Sequence, residues 1–324
     1  MATHKVAVTD YTFDSLDLET AILEPLGCRI VGQVSGKDKP RLIELVSDAD
    51  AVITQFAPVD AAVIDAMRQC RVIVRYGIGV DNVDLRAAAA RGIPVCNVPD
   101  YCIDEVADHA LALILDLTRK ITANAGKVRA GGWGLAVPLQ ALFALRDMTV
   151  GVVAFGRIGR EVAGRLKAFK CRVLVSDPAV DAALIREGGF TPVCLEELLA
   201  TSDLVTLHCP SNDQTRGMIH AGSIARMKPG ALLVNTSRGN LVKTDDLIAA
   251  LRSGQISAAA LDVTDPEPAA PGDPLVAMEN VVITSHMASA SPQAVDRLRR
   301  QAAGTVASAV QGKPLSNIVN GVKV

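Results

Sequence analysis

The sequence predicts an α/β protein made of two doubly wound parallel-sheet domains. Three observations predict it. Short runs of β-branched and small apolar residues alternate with amphipathic helical patterns along almost the whole chain. These runs fall into two series, separated by one long helical stretch. A glycine-containing turn from strand to helix opens the second series, so a complete α/β unit precedes it.

The first series reads as short buried strands at 5–9, 28–31, 51–54, 72–75 and 94–97, with amphipathic stretches such as 42–46 and 63–67 between them. A helical stretch over 103–130 follows, with Asp104 and Glu105 in its first turn and Arg119 and Lys120 further on, the order the helix dipole prefers. The loop Gly131-Gly132-Trp133-Gly134 ends it. The second series predicts strands at 149–155, 172–176, 204–208, 231–235, 257–263 and 281–285, and a Pro-rich loop over 265–274. The tail is helical over 292–310 and then extended.

At 324 residues, 49% of them hydrophobic, the chain has material for two cores. A net charge of −2 and a 3% aromatic content argue against a nucleic-acid or anionic-membrane surface. The seven cysteines are scattered, odd in number and without a C-x-x-C, which suggests reduced thiols rather than a disulfide framework or a zinc site. No metal is expected. The N-terminus lacks a basic-then-apolar leader pattern, and no apolar run approaches the ~18 residues of a membrane span. A soluble, cytoplasmic protein is the expectation.

The turn at 150–160 reads V-G-V-V-A-F-G-R-I-G-R. Strand, turn and helix together suit a pyrophosphate held at helix N-terminal amides, drawing on Ala154, Gly156, Arg157, Ile158 and Gly159. Ala154 stands where the first glycine of such a turn usually stands; it is tolerated at negative φ and costs about 1–2 kcal/mol at positive φ. The next strand ends at Asp177, 18 residues beyond Gly159, near the ~20 expected for an acid that binds a ribose diol. A carboxylate there repels a 2′-phosphate, so NAD is the expected cofactor. The plainer alternative is a tight β–α turn without a nucleotide.

In open α/β sheets ligands sit outside the carboxyl ends of the strands. Those ends in the second series carry His208-Cys209-Pro210 with Thr215 beyond, then Thr236-Ser237-Arg238-Gly239, then Asp262, then His286. Arg238 offers a planar fork for a carboxylate. His286 suits a proton transfer near neutral pH, and Glu267 in the Pro-rich loop suits the other ring nitrogen. Asp262 is a candidate for holding a nicotinamide or tuning the pair, and Thr236, Arg238 and His286 also line the expected cofactor side. Each residue alone fits a plainer role: Arg238 and Glu267 as solvated loop residues, His286 as a partly buried histidine. His208 reads as a cofactor-lining residue and His109, on the long helix, as structural. In the first series, Tyr76-Gly77-Ile78-Gly79 follows a strand. The stretch fits equally an anion-binding turn or a turn in which Asp81 and Asn82 cap a helix.

These motifs together resemble the D-isomer-specific 2-hydroxyacid dehydrogenases, over nearly the full length. The resemblance rests on 76–84, 91–95, 106–109, 154–159, 207–210, 235–239, 261–263, Glu267-Pro268 and Ser285-His286. It is nearest to the phosphoglycerate dehydrogenase-like and C-terminal-binding-protein-like branches. It implies a Rossmann NAD domain over 102–287 inserted into a flavodoxin-like substrate domain of 1–101 and 288–324, with a cleft that closes by hinge motion. It implies Arg238, Glu267 and His286 as catalytic residues on a small 2-hydroxy or 2-oxo acid, with Tyr76, Ile78 and Gly79 on the substrate. It implies a homodimer embracing through 103–150. A non-catalytic NAD(H)-sensing interaction protein of the C-terminal-binding-protein type is the alternative, although the tryptophan that follows the histidine there is replaced by Met287-Ala288-Ser289.

Overall fold

A computed structural model describes residues 3–32 and 38–323. The chain divides into two compact units, one of residues 1–101 with 291–324 and one of residues 102–290.

The first unit holds five parallel strands: β1 (His4–Val8), β2 (Cys28–Gly32), β3 (Ala51–Thr54), β4 (Ile73–Arg75) and β5 (Val95–Cys96). Their order is β2-β1-β3-β4-β5, a flavodoxin-like arrangement whose direction reverses between β1 and β3. β3 is buried along its whole length, as a strand covered on both faces must be. Aspartates start the helices: Asp38, Asp60 and Asp84 each accept a hydrogen bond from the third amide beyond. The cap after β4 is therefore Asp84, not Asp81 or Asn82. Asn82 instead donates its amide to the Ala57 carbonyl at 2.9 Å.

The C-terminal helix Pro292–Val310 belongs to this unit. Ser291 caps it and Pro292 starts it. Its Arg299 makes two bonds to Glu19, of 2.8 and 2.6 Å, and lies over the Phe13 ring. Glu19 is fully buried and also accepts from the Tyr76 hydroxyl at 2.9 Å. The tail beyond the helix pairs with β5, where Asn320 bonds Val95 and Ile93.

The second unit holds seven parallel strands: β6 (Thr149–Val153), β7 (Arg172–Ser176), β8 (Thr191–Pro192), β9 (Leu204–Leu207), β10 (Ala231–Asn235), β11 (Ile256–Leu261) and β12 (Val281–Ile283). The order β12-β11-β10-β9-β6-β7-β8 is that of a Rossmann sheet, with its switch point between β6 and β9. Both faces are covered. Val150 and Val152 of β6 enter one core with Ile114, Val162 and Leu166. Val153 enters the other, with Leu198 and Leu233. Gly151 lies so close to Leu198 that an added Cβ would sit 2.4 Å from its Cδ2.

The strands expected at 149–155, 257–263 and 281–285 end two residues sooner, at Val153, Leu261 and Ile283, and two further elements differ in kind. β8 is only two residues long at the sheet edge, where Pro192 is tolerated because no further strand needs its amide. The single helix expected over 103–130 is two, Ile103–Arg119 and Ile121–Arg129, because Lys120 turns left-handed at φ 54°. Asp116 stabilises the break, accepting from the Lys120 amide through its carbonyl and from the Thr122 amide through its carboxylate. No helix among the described residues is long and apolar enough to cross a membrane.

Removing one member of a buried ion pair strands the other charge, at a cost of about 3–5 kcal/mol. Glu19→Gln is therefore expected to lower stability in urea unfolding by about 3 kcal/mol. A loss within the range of a surface substitution would show that Arg299 and Tyr76 find other partners.

Candidate active site

In the second unit, Val153, Leu207, Asn235, Leu261 and Ile283 are paired across neighbouring strands, so β6, β9, β10, β11 and β12 end level. The residues that follow are Ala154, His208, Thr236, Asp262 and Thr284. The ladder continues one step beyond the strands: the amides of His208, Asp262 and Thr284 each bond the carbonyl of the last residue of a neighbouring strand, at 2.9 Å. Residues far apart in sequence are thereby set in one row along the carboxyl edge of the sheet.

At the switch point the turn after β6 leads into the helix Arg157–Ala168. Ala154 has φ 75°, the left-handed region, so the strain expected of a non-glycine residue here is present. The turn brings the Ala154 carbonyl within 2.1 Å of where a Cβ on Gly159 would stand, so only glycine fits at 159. Gly156 is the N-cap and no side chain caps the helix. Its first turn carries no acid but holds Arg157, exposed at the positive end of the helix dipole. Uncapped amides beside a cation suit an anionic ligand. Asp177 braces the turn, one carboxylate oxygen accepting from the Phe155 amide and the other from the Ala179 amide. Each oxygen keeps a lone pair for a ribose hydroxyl.

His208 lies beside Gly159. Burial pushes its imidazole down to about 4, so it is neutral near pH 7. Its Nε2 meets the Thr206 hydroxyl at 2.9 Å, while its buried Nδ1 has no partner among the described residues. The Thr236 hydroxyl is likewise buried without one. Two orphaned polar atoms at the ends of β9 and β10 fit a polar ligand lying along this edge. Burial also raises the Cys209 thiol to about 11, which leaves it an inert wall residue. Thr215 closes the loop, its hydroxyl donating to the Pro210 carbonyl at 2.6 Å.

Beyond β10, Asn235 fixes the Arg238 turn by donating to the Arg238 carbonyl and accepting from the Ser237 amide. Gly239 presses against the Thr264–Asp265 peptide so closely that a Cβ would lie 2.0 Å from the Thr264 carbonyl oxygen. This contact seats the Arg238 turn on the loop that carries Glu267. Glu267 Oε1 lies 2.6 Å from His286 Nδ1, with both side chains part-exposed. His286 has φ 54°, a second strained non-glycine residue, which costs about 1–2 kcal/mol. Asp262 is not an open ligand site alone. Its buried carboxylate accepts from the Thr284 hydroxyl at 2.5 Å and from the Met287 and Ala288 amides at 3.0 and 2.9 Å.

The loop after β4, in the first unit, has a different character. Gly77 and Ile78 have their carbonyls held by the Val98 amide and the Asn97 side chain. The amides of Ile78 and Gly79 donate to no acceptor among the described residues, which is the anion-binding pattern. Tyr76 does not share it: the side chain is 1% exposed and its hydroxyl is bound to Glu19, so it has no surface to offer a ligand. Arg75 is also buried, lying against Gly77 and the Phe56 ring.

Sequence reasoning missed Thr284 altogether and set His109 aside. His109 Nε2 lies 3.0 Å from Thr284 Oγ1 and 3.5 Å from Asp262 Oδ1. Only the strand register, which puts Thr284 level with Asp262, reveals the connection.

A family model described as the D-isomer specific 2-hydroxyacid dehydrogenase, NAD binding domain, matches residues 111–288. A glyoxylate reductase from Korarchaeum cryptofilum is 39% identical over 285 residues, 87% of this chain and 86% of that protein. A D-3-phosphoglycerate dehydrogenase from Archaeoglobus fulgidus is 37% identical over 88% of the chain, which spans only 54% of that protein's length. Among solved structures, the D-lactate dehydrogenase of Aquifex aeolicus complexed with NAD and lactic acid superposes with a TM-score of 0.88 at 27% identity, over 98% of this chain and 99% of that one. The chain belongs to the D-isomer-specific 2-hydroxyacid dehydrogenase family, and its second unit carries the family's NAD-binding domain.

The strain at Ala154 yields a test. Ala154→Gly is expected to raise stability by about 1 kcal/mol, because glycine adopts φ 75° without a Cβ penalty. A urea unfolding curve checks it, and a lower midpoint would mean that the Ala154 methyl contributes more by packing than the turn loses by strain.

Proposed function

We propose that the chain is an NAD-dependent dehydrogenase that interconverts a small D-2-hydroxy acid and its 2-oxo acid. The observation that carries the proposal is the 2.6 Å hydrogen bond between Glu267 and His286, on the same sheet edge as Arg238 and the nucleotide turn. The relatives named above act on, or are named for, small acids of this type.

The nicotinamide, when bound, supplies or accepts the hydride at the substrate C2. Residues Ala154, Gly156–Gly159, Asp177, His208–Pro210, Thr215, Thr236, Arg238 and His286 are the proposed cofactor contacts, while Asp262, buried and spent on Thr284 and the Met287 and Ala288 amides, acts behind them. Asp177 sets the preference for NAD, since its carboxylate repels a 2′-phosphate. With Nδ1 committed to Glu267, His286 works through Nε2. It takes the hydroxyl proton in the oxidation and returns it to the carbonyl oxygen in the reduction, while Glu267 stabilises the imidazolium. The Arg238 fork binds the carboxylate and polarises the carbonyl. In the first unit, the Ile78 and Gly79 amides are the proposed substrate contacts. Residues 1–101 and 288–324 form the substrate-binding domain in this reading, and 102–287 the NAD domain.

A homodimer accompanies the proposal. Ile121, Val128, Trp133, Leu135 and Leu139 are all about half exposed or more, Trp133 at 87%, and all lie within the 103–150 segment. So many exposed large apolar side chains in one segment suit cover by a second copy of the chain. The seven cysteines form no disulfide among the described residues, which favours a reducing compartment, the cytoplasm.

Consumption of NADH is the assay, with glyoxylate, hydroxypyruvate, phosphohydroxypyruvate and pyruvate offered in turn. Turnover with at least one is expected, and His286→Ala is expected to lower it about a thousandfold while NADH binding stays within a few-fold. Tight NADH binding with no turnover on any acid would favour an NAD(H)-sensing interaction protein instead. For the dimer, sedimentation is expected to give twice the chain mass and Trp133→Asp to give monomer. A wild-type monomer at micromolar concentration would overturn that part.

A further inference from the structure

The loop that carries His286 is held by a chain of contacts beneath it. Thr284 has one hydroxyl proton, and its bond of 2.5 Å to Asp262 Oδ1 uses it. The Thr284 oxygen then faces His109 Nε2, at 3.0 Å, as an acceptor. The geometry therefore selects the tautomer or charge state of His109 with a proton on Nε2. The relay runs from His109, on the helix Ile103–Arg119, through Thr284 at the end of β12 to Asp262 at the end of β11.

Asp262 passes this fixing to the active-site candidate. Its backbone carbonyl accepts the His286 amide at 2.7 Å. Its carboxylate accepts the Met287 and Ala288 amides. Three consecutive amides, 286 to 288, thus terminate on one residue. His286 at φ 54° needs such over-determination, since an unsupported histidine would relax out of the left-handed region. The orientation of the Asp262 carboxylate is in turn set by Thr284 and, behind it, by His109. The helix bearing His109 is itself tied to the nucleotide-binding helix by Arg165, which bonds Asp104 and Asp108 at 2.6 and 2.8 Å.

We infer that His109 and Thr284 are positioning residues, which hold the His286 loop in its strained, working conformation by orienting Asp262. The inference rests on the dehydrogenase reading above for its kinetic consequence, but not for its structural one. Loss of the relay would leave the nucleotide turn, Asp177 and the Ile78–Gly79 loop in place and loosen the His286 loop. The effect belongs in kcat rather than in KM.

The experiment compares Thr284→Val, which keeps the shape and loses the hydroxyl, with Thr284→Ser, which keeps the hydroxyl. It also compares His109→Leu with His109→Gln, which retains an N–H at similar reach. Hydrogen exchange in peptides covering 284–290 of the full chain is the first readout, and steady-state kinetics with NADH the second. Thr284→Val and His109→Leu are expected to speed amide exchange at 287 and 288 about tenfold. They are expected to lower kcat about tenfold or more, with KM and NADH binding nearly unchanged. Thr284→Ser and His109→Gln are expected to stay near wild type, and the Thr284→Val/His109→Leu double variant to be no worse than its poorer parent. Unchanged exchange in Thr284→Val overturns the inference, whatever the activity. Additive losses, or equal damage by the conservative variants, overturn it as well and indicate plain packing roles. Absence of turnover in the wild type overturns the dehydrogenase reading instead, and the exchange comparison then decides the positioning role by itself.

Discussion

Everything at the candidate active site depends on five parallel strands of the second unit ending level. Parallel pairing fixes which residues are neighbours across β6, β9, β10, β11 and β12, and the first residues beyond them inherit that row. The nucleotide turn, the arginine turn, the buried Asp262 and the histidine loop are then set by the sheet, not by contacts they must find for themselves. Burial of both sheet faces supports this, because slipping a strand would pull several fully buried side chains out of the core at about 1.5–3 kcal/mol each.

Two residues in that row hold backbone conformations that their side chains disfavour. Ala154 and His286 both have positive φ. At Ala154 the turn is braced by Asp177 and by the close seat on Gly159, so the strain is absorbed locally. At His286 the brace is Asp262, which takes three successive amides. The first strain lies where a pyrophosphate would rest and the second where a proton would move. Strained backbone concentrates at such places because a precise direction is needed there, and the surrounding structure can enforce it.

The alternation of strands and helices was open to reading because buried parallel strands leave continuous apolar runs and the helices leave a 3.6-residue period. β8 was not, since a two-residue edge strand has no run to detect. Lys120 hid its break in the long helix, because lysine is an ordinary helix former and the left-handed turn is imposed by Asp116. Strand-end chemistry was visible as residue types: an arginine, a carboxylate and a histidine after successive strands. What those residues touch was not. Tyr76 looks available beside two loop glycines, yet its partner Glu19 lies 57 positions away. His109 looks like a helix residue of no consequence, yet it meets Thr284 at a separation of 175 positions. Long-range partners of this kind follow from register and packing, which no local pattern encodes.

In the proposed mechanism this sheet edge moves a hydride to or from C2 of a small acid while His286 handles the proton. Isotope transfer tests it most directly. The enzyme, NADH carrying deuterium at both C4 positions of the nicotinamide and whichever of hydroxypyruvate, phosphohydroxypyruvate or pyruvate turns over are incubated together, and the product is examined by NMR and chiral chromatography. The expected product is the D-2-hydroxy acid carrying deuterium at C2. The L isomer, or product without the label, would overturn the proposed hydride transfer.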